Sequence, residues 1–186
     1  MVIIMETKAR QVYDLIQNKA SSNEFMQGLS GLLGFPFTLI ADAGVIFTHY
    51  GPMLNSIRSI YGRSPVSAEV VKPILDGCKS EILADILVDK IIGQIPVIGI
   101  AANVMCAKTM TWRLGILFGM LAARGEEISS ESARNATKAI RGLFPQKSMI
   151  TFSTPSIAMV EKLLTKVENC STEAFDEKVD RILDAI

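Results

Sequence analysis

Apolar residues recur at helical spacing from Glu6 to Met26: Val12, Leu15, Ile16 and Phe25 share a stripe, and Lys8, Arg10 and Asp14 fall on the wet side. This segment is expected to form an amphipathic helix. In "GLSGLLGFPF" the glycines Gly28, Gly31 and Gly34 either leave a smooth helix face for close backbone approach or break the chain before Pro36. From Phe37 to Gly62 the pattern changes: Ile40, Val45, Phe47, Leu54, Ile57 and Ile60 supply the apolar surface of a buried helix, with Gly51 and Pro52 a place for a kink and Gly62 a stop. A second start follows at Ser67, an N-cap with Val66 before it and Glu69 in the first turn; Pro73 bends or divides the helix that it opens.

The apolar run "KIIGQIPVIGIAANVMCAKTMTWRLGILFG", residues 90 to 119, is divided by Gly93, Pro96 and Gly99. After a polar turn at Arg124 to Glu127, "SSESARNATKAIRG" has the pattern of a short amphipathic helix. Thr154, with Pro155 in the first helical position, is expected to cap the next helix, because proline there lacks only a donor that the helix does not use. Ser171 is the expected cap of a last helix with Phe175, Val179, Ile182, Leu183 and Ile186 on one stripe. The one β-like piece is "SMITFST", residues 148 to 154. The fold class expected is all-α: a compact multi-helix bundle with two central apolar helices and a C-terminal helical pair. The segment from Val66 to Asp89, richer in charge, would join the two central helices as neighbours.

A length of 186 residues suits one helical domain, residues 1–186. An apolar fraction of 49% against 20% charged residues, with positive mean hydropathy, provides ample surface to bury against protein, lipid or a partner. The 19 basic residues match the 19 acidic ones, so no global field draws in nucleic acid or an anionic membrane, and nucleic-acid binding is not expected. Cys78, Cys106 and Cys170 are widely spaced and accompanied by a single histidine, which fits small apolar fillers better than disulfides or a zinc site. The start "MVIIMETKARQ" lacks the basic leader and long apolar core of a signal peptide, so a cytoplasmic location is expected.

Low charge between Phe25 and Ile57 raises the alternative of a membrane-associated adaptor. A crossing helix needs about 20 apolar residues. Asp42 interrupts that stretch, and the second candidate, Ile91 to Ala107, ends at Lys108. A charge at mid-bilayer costs at least about 2.5 kcal/mol, relieved only where it snorkels to an end. A soluble core is therefore the leading expectation, with a location peripheral to a membrane as its alternative.

Candidate polar residues have structural readings first. Asp42 can cap the helix that starts near Gly44, and His49, between Thr48 and Tyr50, fits a satisfied core or boundary histidine. Asn103 can satisfy a backbone group, pair across the bundle or meet a partner. Trp112 and Arg113 can anchor a partner surface, one by rigid aromatic contact and the other by directional hydrogen bonds, although ordinary packing with a solvated arginine is the leading reading. A small enzyme using His49 or Cys78 is the remaining alternative; it would need an oriented base and nucleophile. The chain has no GxxxxGK[ST], GxGxxG after a strand, HExxH or GxSxG, and "GLSGLLG" lacks the lysine and hydroxyl that grip phosphate and magnesium. No catalytic residue, cofactor or metal is expected.

The order "FPFTLIADAGVIFTHYGPMLNSIRSIYG" then "KIIGQIPVIGIAANVMCAKTMTWRLGILFG" resembles the DUF697 family of helical domains found beside small GTPase domains. Pro36, Asp42, Tyr61 and Gly62 look like its first segment; Pro96, Gly99, Asn103, Thr111, Trp112 and Arg113 look like its second. The likeness covers about residues 28–124, leaving residues 126–186 as a C-terminal helical extension. It implies a non-catalytic interaction or regulatory module whose protein partner is a GTPase acting in trans, since the chain lacks a GTPase domain, and it carries the possibility of membrane linkage.

Overall fold

A computed structural model describes residues 6–22, 43–72, 96–125, 130–144 and 153–171, together with residues 174, 175, 177, 178 and 181. The helices with assigned ends are α1 (Lys8–Ser21), α2 (Ala43–Ile60), α3 (Pro96–Arg124), α4 (Ser130–Leu143) and α5 (Ile157–Val167). They form the expected all-α bundle, with the apolar helices α2 and α3 packed together and α4 and α5 as the C-terminal pair. Among the described residues there is no strand. Asp42, Cys78 and most of the β-like segment lie outside the described residues.

Helix α3 lies at the centre and touches α1, α2, α4 and α5. From Thr109 to Arg124 every residue of it is buried, as expected of a helix enclosed on all sides. Its neighbours each bury one stripe: Ala9, Val12, Ile16 and Ala20 on α1; Tyr50, Met53, Leu54 and Ile57 on α2; Ala133, Ala136 and Ile140 on α4; and Val160, Leu163, Leu164 and Val167 on α5. Within this core α1 runs very close to α3. A Cβ on Gly119 would already lie 3.3 Å from Val12 Cγ1 and 3.1 Å from Leu164 Cδ2, so the missing side chain lets both α1 and α5 approach.

Helix ends explain where the elements stop. Thr7 caps α1, its hydroxyl accepting from the Arg10 amide at 3.1 Å. Gly62, at φ +69°, ends α2 in a Schellman turn: its amide donates to the Ser59 carbonyl at 2.9 Å, and the Arg63 amide donates to the Arg58 carbonyl at 2.9 Å. Helix resumes at residue 68 after Ser67, as the capping pattern predicts, and the Ser67 hydroxyl holds the exposed Glu69 carboxyl below its usual range.

Two expectations change. Gly99 does not divide the apolar run: α3 continues unbroken from Pro96, and a glycine within a long helix costs only about 1 kcal/mol relative to alanine. Helix α5 begins two residues later than expected, with Ser156 as its cap; Pro155 stays outside the helix, buried, and its carbonyl accepts from the Tyr13 hydroxyl at 3.3 Å.

No helix among the described residues is long and apolar enough to cross a membrane.

Candidate functional site

Trp112 sits inside the bundle. It is 1% exposed, and its ring lies 5.1 Å from that of Tyr13 on α1, tilted by 57°. That is a favourable aromatic geometry, worth about 0.5–1.5 kcal/mol beyond the area buried. Arg113, 4% exposed, lies 5.8 Å from the centre of the Phe144 ring just beyond α4. Both residues are packed within the bundle, and Arg113 is enclosed rather than solvated, because α3 is covered on the faces that carry them.

The neighbouring polar groups are also built into the bundle. The Thr111 hydroxyl donates to the Ala107 carbonyl at 2.8 Å and lies beside the Tyr50 phenol, whose pKa burial pushes well above its ordinary value. His49 is half-buried on α2, and Asn103 is placed on the first half of α3. No group of three or more His, Cys, Asp or Glu residues that could hold a metal ion occurs among the described residues.

At the far end of α3 several segments converge. Gly125, at φ +75°, ends the helix with the Arg63 guanidinium lying against it, and Arg63 Nε donates to the Ala122 carbonyl at 3.4 Å. The Asn169 amide donates to the Ala123 carbonyl at 3.0 Å, so the chain beyond α5 supplies a second donor to the same helix end. Arg124 stacks 4.1 Å from the centre of the Phe175 ring. Cations at a helix C-terminus offset its partial negative charge, which gives Arg63 and Arg124 a structural function here.

The turn that carries Arg63 is itself rigid. Asn55 reaches across it as a two-point clamp: its Nδ2 donates to the Val66 carbonyl at 3.2 Å, and its Oδ1 accepts from the Val66 amide at 2.9 Å. Arg58 Nε donates to the Ser64 carbonyl at 2.6 Å. Burial, and then the nearby charge of Arg63, hold the Arg58 pKa below its ordinary value. Sequence reasoning found the stop at Gly62 but passed over Arg58 and Arg63, whose only signal was a pair of basic residues flanking "YG".

On another face, Thr7, Ala158, Glu161, Lys162, Thr165 and Lys166 line a shallow open groove of about 450 Å³ between the start of α1 and α5. Its margin is tied down by Lys8, which meets the Glu168 carboxylate at 2.8 Å and lies 5.6 Å from the centre of the Tyr61 ring. Burial and the Glu168 charge together raise the Tyr61 pKa.

No family model, curated protein or solved structure matches the chain. The resemblance to GTPase-associated helical domains therefore rests on the motifs themselves.

Proposed function

We propose that this chain is a non-catalytic helical interaction or regulatory module and that its partner is a GTPase acting in trans. The observation that carries the reading is the use of the distinctive polar and aromatic residues of α3 as bundle packing: Trp112 on Tyr13, Arg113 on Phe144 and Thr111 on its own helix. The GTPase class comes from the motif resemblance. Open helix faces and a shallow groove suit a macromolecular partner better than a small substrate, which is usually enclosed by a concave, largely apolar pocket.

The test is binding of the purified chain to small GTPases from the same cell, each loaded with GDP or with a non-hydrolysable GTP analogue. Retention of one GTPase at least tenfold better in one nucleotide state is the expected result. If none is retained in either state, the GTPase assignment is wrong; turnover of a small substrate by the purified chain would overturn the non-catalytic reading itself.

A further inference from the structure

The turn between α2 and the helix start at residue 68 presents two arginines whose chemistry remains available to a partner. Arg58 and Arg63 are half-buried, while Gly62, Ser64 and Pro65 around them are exposed. Each arginine directs Nε to a backbone carbonyl, Arg58 to Ser64 and Arg63 to Ala122. Neither has a carboxylate partner among the described residues, in contrast to Lys8 and Arg10, which pair with Glu168 and Asp14. The two arginines flank one turn, the Arg63 amide donating to the Arg58 carbonyl at 2.9 Å.

Their placement is also preorganised. The Schellman turn at Gly62, the Asn55 clamp on Val66 and the packing of Arg63 against Gly125 hold the backbone and one side chain before any ligand arrives. A partner group would therefore meet guanidinium forks already held through Nε, and less rotamer freedom would be lost on binding. Two like charges with no carboxylate partner among the described residues favour an acidic occupant by charge complementarity. The chain's balanced overall charge makes this a local preference rather than a general attraction for anions.

We infer that Arg58 and Arg63 form a recognition site for carboxylates on an acidic segment of a protein partner. The inference rests on the interaction-module reading and adds the chemistry of the contact. Arg63 also caps α3, so Arg58 provides the cleaner test of recognition.

The probe is a fluorescein-labelled hexaglutamate peptide, with hexalysine as control, titrated against the full chain by anisotropy at two salt concentrations. Hexaglutamate is expected to bind, more weakly at the higher salt, and the Arg58→Gln/Arg63→Gln chain to lose at least tenfold in affinity. Arg58→Gln alone should lose about threefold, and because it also gives up the hydrogen bond to the Ser64 carbonyl, a cooperative melt is used to confirm that the variant is folded. Arg58→Lys should recover only part of that loss, because ammonium retains the charge without the fork.

Equal binding of hexaglutamate by the wild type and the double variant would overturn the site, as would equal binding of hexalysine. Competition by inorganic phosphate at lower concentration than by free glutamate would replace the carboxylate with a phosphate as its ligand. Nucleotide-dependent GTPase binding that survives the double substitution would defeat this inference and leave the interaction reading in place.

Discussion

Gly115 on α3 faces Ile16 on α1 so closely that a Cβ at Gly115 would lie 2.5 Å from Ile16 Cγ1 and 2.7 Å from its Cδ1. Ile16 is itself fully buried, so it has little room to retreat. The two helices meet at this point because one side chain is absent and the other is branched.

Gly115→Ala should therefore destabilise the chain despite the better helix propensity of alanine. Overpacking costs about 1–3 kcal/mol, against about 1 kcal/mol gained in propensity. A net loss of up to about 2 kcal/mol in urea unfolding is expected, and adding Ile16→Val should recover part of it through the pairwise coupling. Gly119→Ala, whose nearest neighbour is a Leu164 methyl at 3.1 Å, should be much closer to neutral. Equal losses at the two glycines would show that α1 is not the tighter neighbour.

Tyr50 and Tyr61 predict a stability change in alkali. Burial raises both phenol pKa values in the folded chain, whereas an unfolded tyrosine titrates near about 10. The folded state thus retains protons that the unfolded state gives up, and the associated stability is fully present below about pH 10 and lost as pH rises toward the folded pKa values. Each tyrosine should add a slope of about 1.4 kcal/mol per pH unit within that window. Urea midpoints measured from pH 8 to 11 should fall less steeply in Tyr50→Phe and Tyr61→Phe; unchanged slopes would contradict the burial of the phenols.

The Asn55 clamp predicts an asymmetric pair of substitutions. Asn55→Ala leaves both the amide and the carbonyl of Val66 without their partner and should cost about 1–2 kcal/mol, at the lower end for a half-buried site. Asn55→Asp retains the acceptor for the Val66 amide and loses the donor to its carbonyl, so its loss should be smaller. Amide exchange at Val66 provides the local measurement, with faster exchange in Asn55→Ala than in Asn55→Asp. The reverse order would show that the donor half of the clamp is the stronger one.

Much of the fold was legible where a local signal and the tertiary surroundings agree. The α1 stripe at Val12 and Ile16 marks a buried face, Gly62 marks a left-handed stop, and Ser67 marks a restart; each depends on a few neighbouring residues. The start of α5 was less legible because Thr154, Pro155 and Ser156 offer competing caps. Ser156 accepts from the Met159 amide at 3.3 Å while Pro155 is held by Tyr13, a residue far away in sequence. The candidate site was hardly legible. A long apolar helix has no stripe to reveal which residues are outermost, so packing and a partner surface competed as readings of Trp112, and the enclosure of Arg113 was not foreseen. Arg58 and Arg63 are ordinary surface charges until the end of α3 is brought beside their turn.

Trp112 gives the prediction that separates packing from recognition most directly. Trp112→Ala should destabilise the chain by about 3–5 kcal/mol, the cost of a large cavity in an enclosed core, while Trp112→Phe should cost less because a ring remains against Tyr13. Tyr13→Phe should preserve the ring contact and lose about 1 kcal/mol with the hydrogen bond to the Pro155 carbonyl. Denaturant unfolding of the three variants orders them as Trp112→Ala worst, with both Phe variants milder. A folded Trp112→Ala chain of wild-type stability that had lost partner binding would instead place the indole at an interface, and would require α1 to move away from α3 in the bound state.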